Sequence, residues 1–542
     1  MSSELVVYDT TLRDGAQQEG MNLSVADKVT LLPLLEAYGA DIIEGGWPGA
    51  IPRDTEFFAL AKRESPLKRA KLAAFGSTRK ANVAVEDDQQ VRALLDSGAP
   101  IITLVAKSDF RHVLKALRTT EQENLAMVSD TVTFLREQGR EVMVDLEHFF
   151  DGAEENRAYT YSVAEDAVRA GASTIIACDT NGGSLPETIS QRMIELQEHL
   201  KEAGLDAILG IHAHNDGELA VANSMAAVTA GATHVQGTVN GYGERTGNAN
   251  ILTVIANLQL KGGHRIVTDE QLANQTRVSH AISEIVNIAP YGRQPYTGVS
   301  AFAHKAGLHA SAIRVDADLY QHIDPALIGN NMRMIVSDMA GRASIELKAR
   351  EVGLDLSERP EVLTEVTNRI KKAEAQGYTY DATDASVELI IREVADGKKL
   401  CFFEIESWTT HLSGQKEDSN GAEAVLKLAT GKGRTLTVGE GVGPVDALDN
   451  ALREALVPVY PELKDCELTD FKVRILDGSA ATKATTRVII SMSSPTGSWA
   501  TVGVGKDVIE ASWEALTDGY IYGLFKAGVR PYKAEQLEEA NA

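Results

Sequence analysis

Short apolar runs alternate with amphipathic stretches through roughly the first 260 residues of the chain. Eight runs rich in β-branched residues predict strands at Leu5–Thr11, Asp41–Trp47, Lys71–Thr78, Ile101–Ser108, Glu141–His148, Thr174–Thr180, Ala207–Asn215 and His234–Asn240. Amphipathic helices are predicted between them, among them Ser24–Tyr38, Asp87–Ser97, Thr160–Ala170 and Glu218–Ala230. Eight such units predict a closed (β/α)8 barrel, the TIM barrel. The competing topology, an open doubly wound sheet, calls for a glycine-rich turn after the first strand, and DTTLRDG is not one.

The second half of the chain has a different pattern. Residues 271–395 are mostly helical in character, with loops at Tyr291–Ser300 and Gly329–Asn331. From residue 396 onward, alternating strands are predicted at Leu400–Trp408, Ala424–Leu428, Arg434–Val438, Glu467–Leu476, Thr485–Ser493 and Ser498–Val504. We therefore predict an α/β protein in three parts: a barrel over 1–270, a helical linker region over 271–395 and an α+β domain over 396–542.

An internal repeat lies within the third part. TVGEGVGPVDALDNAL (437–452) aligns with TVGVGKDVIEASWEAL (501–516), and Ala447 and Ala451 match Ala511 and Ala515. Each copy is predicted as a strand, a glycine turn and a helix, so the repeat predicts a duplicated module with a shared core. Because a glycine turn before a helix can hold a carboxylate on free N–H groups, a small-molecule sensor is one interpretation, and a plain packing module is the other.

Charge and cysteine content narrow the class of protein. The formal charge of −24 argues against a surface for nucleic acid or anionic membrane, because phosphate contacts need clustered Lys and Arg. Cys178, Cys401 and Cys466 are far apart in the sequence, which fits a reducing compartment. The N-terminus lacks a signal-peptide pattern, and no apolar stretch reaches the length of a membrane span. We expect a cytoplasmic protein.

Polar residues gather where the predicted barrel strands end. Those that stand out are Arg13, Asp14, Glu147, His148, Asp179, Thr180, His212, His214 and Asn248. The carboxyl ends of barrel strands converge on one mouth, where barrel enzymes carry out their chemistry. The sequence therefore predicts an active site at this mouth.

The predicted strand that contains His212 and His214 presents both imidazoles on one face, because alternate strand residues point the same way. With the Asp14 carboxylate and the Asn248 amide they form a candidate divalent-metal site. The oxygen ligands suit Mg²⁺ or Mn²⁺, and the imidazoles also accept Zn²⁺, Co²⁺ or Fe²⁺. A purely structural pair of histidines is the alternative.

Three further residues suggest roles in catalysis. Arg13 could stabilise an oxyanion, or it could simply pair with a carboxylate at the barrel end. Apolar Leu146 and Phe149 are expected to desolvate Glu147 and raise its basicity, which would suit a general base; a buried structural glutamate is the alternative. The Thr180 hydroxyl could bind one oxygen of a substrate acid.

The motifs identify a family resemblance. YDTTLRDGAQQEG (8–20), HAHNDGELAVANSMAAVTAGA (212–232) and GTVNGYGERTGNAN (237–250) resemble the acyl-CoA-condensing isopropylmalate, homocitrate and citramalate synthases. GGWPGAIPRDTEFF (45–58), FFDG (149–152) and CDTNGG (178–183) look most like the long citramalate branch of that family. The resemblance continues through AFAHKAGLHASAI (301–313) and TVGVGKDVIEASWEALTDGY (501–520), so it covers essentially the whole chain.

The resemblance implies a Claisen condensation of acetyl-CoA with pyruvate that yields citramalate and CoA, an entry step toward isoleucine. It implies a metal held by Asp14, His212 and His214, with Asn248 as a direct or water-bridged ligand, where Mn²⁺ or Mg²⁺ is expected and Zn²⁺ or Co²⁺ is acceptable. Arg13 would then stabilise an alkoxide, and Thr180 would hold the pyruvate carboxylate. Glu147, paired with His309, would help to remove a proton from the acetyl methyl group.

The resemblance also implies a homodimer, in which His309 and Tyr320 complete the partner's site, and a C-terminal feedback domain for isoleucine or leucine. An isopropylmalate-type synthase acting on 2-oxoisovalerate is the runner-up, because the two substrates differ only in the apolar pocket they need. A lyase that cleaves the carbon–carbon bond could use the same barrel site. The alternative that is not an enzyme is an amino-acid sensor whose barrel has lost its catalytic activity.

Overall fold

A computed structural model of the chain describes residues 5–64, 67–413, 421–477 and 484–532. Eight parallel strands close into a barrel in which β1 pairs with both β2 and β8, as predicted. The strands are β1 Val6–Asp9, β2 Ile42–Glu44, β3 Lys71–Ser77, β4 Ile101–Lys107, β5 Glu141–Glu147, β6 Thr174–Asp179, β7 Ile208–Ala213 and β8 His234–Gly237. All eight are shorter than their predicted runs, because the final residues of those runs belong to the loops at the mouth.

Helices surround the barrel. They are α1 Val25–Ala37, α2 Pro52–Glu64, α3 Gln89–Asp96, α4 Phe110–His112, α5 Glu121–Glu137, α6 Phe149–Arg169, α7 Pro186–Glu202, α8 Ala220–Thr229 and α9 Ile251–Leu260. Side-chain caps fix several starts; Ser24 and Asp27 form a reciprocal capping box at α1. In the described ranges, no helix combines the length and the apolar character needed to cross a bilayer.

Two layers of buried side chains hold the barrel together. Inside it, Tyr8, Ile42, Ile101 and Ile176 belong to one apolar cluster. A larger apolar layer fills the space between the strands and the surrounding helices. Because the interior is filled in this way, the open space lies at the strand ends.

The chain forms two compact units, and the first extends beyond residue 270. It runs to Phe302 and also takes in Ile323–Asn331. It includes helices α10 (Asp269–Ala273) and α11 (Gln275–Ile285), whose apolar side chains join the layer around the barrel. These helices, although they follow the predicted end of the barrel, share its core.

The second unit contains short strands, helices and two three-stranded antiparallel sheets. Its elements are β9 Ala303–His304, α12 Gly307–Ile313, β10 Arg333–Met334, α13 Arg342–Glu351, α14 Pro360–Ala375, α15 Asp384–Asp396, β11 Glu404–Ser413, β12 Gly421–Thr430, β13 Gly433–Gly441, α16 Pro444–Leu456, β14 Glu467–Ile475, β15 Thr486–Ser494, β16 Gly497–Gly505 and α17 Val508–Lys526. The sheet orders β11-β12-β13 and β14-β15-β16 are the same, and a helix follows each sheet.

Matching contacts in the two halves of this module confirm the predicted duplication. Thr437 donates to the Ala451 carbonyl at 2.9 Å, and Thr501, its counterpart in the second copy, donates to the Ala515 carbonyl at 2.6 Å. Gly439 and Gly503 occupy equivalent positions where the following helix comes so close that a Cβ atom would collide with backbone. Apolar residues of both copies form one core cluster.

Candidate active site

The carboxyl ends of the barrel strands line a cavity of about 660 Å³. Six residues predicted from the sequence line it together: Arg13, Asp14, Glu147, Thr180, His212 and His214. Ligand cavities typically measure about 300–1,000 Å³. This volume therefore accommodates a small acid together with the reactive end of a larger substrate.

Asp14, His212 and His214 form a buried cluster in which the ligand atoms face one another. The His212 Nε2 lies 3.1 Å from Asp14 Oδ2 and 3.2 Å from His214 Nε2, and His214 Nε2 is 4.0 Å from the same carboxylate oxygen. His212 lies on β7, whereas His214 lies just beyond its end and not on the strand as predicted. Two imidazoles and a carboxylate in this arrangement can hold a divalent metal ion.

Asn248 adjoins the cluster, because its backbone forms a bridge with that of His214. Its Nδ2 donates to the Tyr242 carbonyl at 3.1 Å. Its Oδ1 is buried and has no hydrogen-bond partner among the described residues. Since buried polar atoms are normally satisfied, this oxygen fits the role of a further metal or water ligand.

A second layer of contacts, not predicted from the sequence, orients His212. The Gln236 Nε2 donates to the Asp145 carboxyl at 3.0 Å, which turns Gln236 Oε1 toward His212 Nδ1 at 2.8 Å. His212 therefore carries a proton on Nδ1, and in the neutral ring this leaves the Nε2 lone pair free to bind a metal. Gln236 could have been noticed as a polar residue inside the predicted strand 8, but its partner is known only from the fold.

Electrostatics keep Asp14 and His214 in metal-binding forms, whereas the Asp14 carboxylate outweighs burial and raises the pKa of His212, so a metal would displace a proton from that ring. Burial would raise the pKa of Asp14, but the Arg13 guanidinium and His212 outweigh it and hold the pKa well below its ordinary value. Burial, with His212 nearby, lowers the pKa of His214 to about 4. At pH 7 Asp14 is therefore a carboxylate and His214 a neutral imidazole, the forms that metals require.

Arg13 is held rigidly at the edge of the cluster. Its Nε donates to Glu44 at 2.5 Å, its Nη1 lies 3.5 Å from Asp14, and its guanidinium lies 3.8 Å from the centre of the Phe75 ring. Glu44 is fully buried and also accepts from the Tyr8 hydroxyl at 2.7 Å. Glu44, whose role the sequence leaves open, therefore fixes the orientation of Arg13.

Glu147 has different surroundings from those expected. We expected Leu146 and Phe149 to desolvate it, and this is wrong: both pack in the outer apolar layer, and the Glu147 side chain remains 25% exposed at the cavity. Its carboxylate pairs with Lys107, its register partner on β4. An ammonium group, and not an apolar wall, is therefore its main neighbour.

Thr180 follows β6 at the cavity wall. Its Oγ1 accepts a hydrogen bond from the His148 backbone N–H at 2.9 Å. His148 has the left-handed conformation (φ 59°), which non-glycine residues adopt rarely and mostly where the surroundings impose it. Because the Thr180 oxygen already accepts, its own proton is free to be donated toward the cavity.

His309 and Tyr320 lie in the second unit, and the residues that line the mouth cavity all come from the first. His309 is on α12, and its ring stacks on that of Tyr320 with 4.1 Å between centroids. Leu308 and Leu319 beside them are exposed, as is Tyr320 itself. The structure thus brings these two predicted residues to each other.

Comparison with protein families matches nearly the whole chain. Residues 4–282, just over half of it, match the HMGL-like family. Residues 296–378 match the homocitrate synthase post-HMGL domain, and residues 381–524 match the LeuA allosteric (dimerisation) domain.

Curated relatives are similar over the full length. The (R)-citramalate synthase of Streptomyces coelicolor is 57% identical over 97% of both chains. That of Synechocystis sp. is 46% identical over 96% of both chains. That of Aquifex aeolicus is 44% identical over 97% of this chain and 99% of the relative. The chain therefore belongs to the HMGL-like family and, within it, to the (R)-citramalate synthases.

Proposed function

We propose that this enzyme condenses acetyl-CoA with pyruvate and hydrolyses the thioester, releasing (R)-citramalate and CoA. The convergence of Arg13 with Asp14, His212 and His214 at the barrel mouth carries the proposal. The names of the relatives favour pyruvate over 2-oxoisovalerate, which is two methyl groups larger and is the substrate of the alternative activity, 2-isopropylmalate synthase. A polar cluster this deeply buried would be costly to keep in a non-catalytic sensor.

Asp14, His212 and His214 would hold a divalent metal ion, with Asn248 Oδ1 as a direct or water-bridged ligand. The unpartnered Asn248 oxygen and the proton fixed on His212 Nδ1 both support this donor set. When bound, the ion would supply Lewis-acid polarisation of the 2-oxo group. We propose Mn²⁺ or Mg²⁺; Zn²⁺ and Co²⁺ also suit the two imidazoles.

The other mouth residues bind the acid and move a proton. Thr180 donates its hydroxyl proton to the pyruvate carboxylate. Glu147, held by Lys107 and assisted by His309, takes a proton from the acetyl methyl group, whose carbon then bonds to C2 of pyruvate. The carbonyl electron pair moves to the 2-oxo oxygen, which accepts a hydrogen bond from the Nη2 of Arg13, the guanidinium nitrogen for which no contact with Glu44 or Asp14 is seen. The resulting alkoxide takes up the proton that Glu147 removed, and water then cleaves the thioester, giving the carboxylate of citramalate and CoA as the free thiol.

We also propose a cytoplasmic homodimer in which His309 and Tyr320 complete the partner's mouth. The exposed Tyr320 ring, stacked on His309, and the exposed Leu308 and Leu319 support such a docking role. The duplicated module would bind isoleucine, or leucine, as a feedback effector. The glycine turns themselves are weak anchors for its carboxylate, because Asp507 already caps the first N–H groups of α17 and Asp446 accepts from the Val442 N–H.

Release of CoA with pyruvate, 2-oxobutanoate, 2-oxoisovalerate and 2-oxoglutarate tests the proposal. We expect pyruvate to be preferred and the activity to disappear on chelation and return with Mn²⁺ or Mg²⁺. A preference for 2-oxoisovalerate would keep the mechanism and move the enzyme to isopropylmalate synthesis. No release with any of the acids would overturn the synthase.

A further inference from the structure

Thr180 is held at the barrel mouth through both its side chain and its main chain. Its Oγ1 accepts from the His148 backbone N–H at 2.9 Å, and its carbonyl oxygen accepts from the Arg245 Nη2 at 2.8 Å. The first contact comes from the residue that follows β5, and the second comes from the loop after β8. The direction of the Thr180 hydroxyl therefore depends on two neighbouring parts of the mouth.

The Arg245 guanidinium is itself oriented by a bidentate ion pair with Asp216. Its Nε donates to Asp216 Oδ1 at 2.8 Å, and its Nη2 donates to Oδ2 at 2.9 Å. Two parallel bonds of this kind fix the plane of a guanidinium, which a lysine ammonium cannot reproduce. Asp216 lies in the loop after β7. A single arginine thus connects the loops that follow β6, β7 and β8.

The backbone around this contact has little conformational freedom. Arg245 has the left-handed conformation (φ 55°), which non-glycine residues adopt rarely. Gly182, two residues after Thr180, has φ 61°, and a Cβ atom there would lie 2.6 Å from Asp216 Oδ2. The Gly217 N–H donates to the Gly182 carbonyl at 3.1 Å. Such conformations persist where the surroundings impose them, so these loops interlock in one geometry.

The stability of the fold alone gives little reason for this arrangement. The Arg245 side chain is 43% exposed, and ion pairs at such positions typically contribute little to the free energy of unfolding. Arg245 nevertheless lines the mouth cavity together with Thr180. The Arg245–Asp216 pair is therefore better explained by its effect on Thr180 than by its effect on stability.

We propose that Arg245, oriented by Asp216, is a positioning residue for Thr180 and thereby sets the affinity of the mouth for the carboxylate of the 2-oxo acid. Arg245 holds the Thr180 main chain so that the hydroxyl donates toward the cavity. This role rests on the proposed function, in which Thr180 binds that carboxylate. The same hydrogen bond would be present in the bound acid and in the transition state, so its loss should raise KM and leave kcat nearly unchanged.

CoA release by the full chain, measured while the preferred 2-oxo acid is varied, tests this role. In Arg245→Met the misdirected hydroxyl should raise the KM for the acid about 10-fold, as when a hydrogen bond to a charged group is lost. The kcat and the KM for acetyl-CoA should stay close to those of the parent. Arg245→Lys keeps the charge but not the bidentate pair, so it should resemble Arg245→Met. Arg169→Met removes an arginine of similar exposure that donates twice to Glu165 on α6; it is the matched control and should behave like the parent.

Asp216→Asn separates positioning from simple attraction of an anion. It removes a negative charge two residues after His214, so attraction alone predicts a lower KM for the anionic acid. Positioning predicts a higher KM, because an amide cannot orient the Arg245 guanidinium as a carboxylate does. The two explanations therefore predict changes of opposite direction.

A double-mutant cycle shows whether Arg245 acts through Thr180. Thr180→Val removes the hydroxyl and should raise the KM for the 2-oxo acid by itself. Addition of Arg245→Met to Thr180→Val should then raise KM little further, because the effects of residues that act through one another are not additive.

Three results would overturn this role: a parental KM in Arg245→Lys, a lower KM in Asp216→Asn, or full additivity in the double variant. Thermal unfolding shows whether each variant is folded, and Asp216→Asn keeps the test valid if Arg245→Met is not. A parent that releases no CoA with any 2-oxo acid would defeat the proposed function, and this role with it. A parent that releases CoA, with parental KM values in the Arg245 and Asp216 variants, would defeat this role alone.

Discussion

The barrel mouth and the helices of the second unit each contain a largely buried aspartate, with opposite surroundings. Asp14 lies among Arg13, His212 and His214, whose charges hold its pKa well below its ordinary value. Asp518 lies beside Glu514 and has no ion-pair partner among the described residues, and its pKa is raised to about 7. The mouth is thus built to keep its aspartate charged, whereas the surroundings of Asp518 favour the protonated carboxyl.

The largest effect expected from this contrast follows removal of the mouth anion. Asp14→Asn takes away a ligand and leaves Arg13 and His212 without their carboxylate, so we expect CoA release to fall by about 10³-fold or more, as when a charge-stabilising group is lost. Bound metal, measured by elemental analysis of the purified protein, should fall well below one per chain. Asp96→Asn, an exposed aspartate at the end of α3, is the control and should retain both. A full complement of metal in Asp14→Asn would remove Asp14 from the ligand set.

A smaller effect at the same mouth tests whether Gln236 orients His212. Gln236→Leu removes the acceptor for His212 Nδ1, and loss of such an outer contact typically costs 10–100-fold in metal affinity. Titration with Mn²⁺, followed by its paramagnetic resonance signal, measures this directly. Gln275→Leu changes an equally buried glutamine on α11, so its affinity should be unchanged. Equal affinities for the two variants would show that the ring needs no such support.

The sequence predicts which residues lie at the mouth, but it does not predict which partners surround them. The strand–helix alternation predicts the barrel, and the strand ends predict Arg13, Asp14, His212 and Thr180 at its mouth, because this placement depends only on local pattern and topology. The partners of these residues depend on which strands are neighbours and on their register. Glu147 is the clearest case: Lys107 lies 40 positions earlier and reaches it only because β4 and β5 pair, so the apolar surroundings expected from adjacent residues were wrong. Glu44, Gln236 and the unpaired Asp518 could not be found for the same reason.

The raised pKa of Asp518 makes a prediction about stability and pH. In the folded chain this carboxyl keeps its proton up to about pH 7, whereas in the unfolded chain it loses it near pH 4. The folded state thus binds more protons between these values, and stability from this group is lost as pH rises from about 4 to 7. Asp518→Asn should lack this pH dependence. We expect its free energy of unfolding to fall by about 1–2 kcal/mol less than that of the parent over this pH range, since the carboxyl is partly exposed and its charge partly screened.

Denaturant unfolding at pH 5 and pH 8 measures this difference. Three of the four tryptophans, Trp408, Trp499 and Trp513, lie in the second unit, so their fluorescence follows the relevant transition. Glu510→Gln, which changes an exposed carboxylate on the same helix, should retain the pH dependence of the parent. If Asp518→Asn retains it as well, the Asp518 carboxyl is already paired in solution and the contrast with Asp14 fails.

The smallest expected change in stability concerns the duplicated module, in which each copy contains the same hydrogen bond from a threonine to the following helix. Thr437 and Thr501 each donate to a helix carbonyl in equivalent places. Thr→Val keeps the shape of the side chain and removes the donor, so we expect each single variant to lose about 0.5–1.5 kcal/mol in the free energy of unfolding. The double variant should lose the sum, since neither threonine shares a hydrogen-bond partner with the other. Unequal losses would show that the two copies have diverged in stability despite their matching geometry, and a loss in the double variant well above the sum would show that the helices α16 and α17 depend on each other.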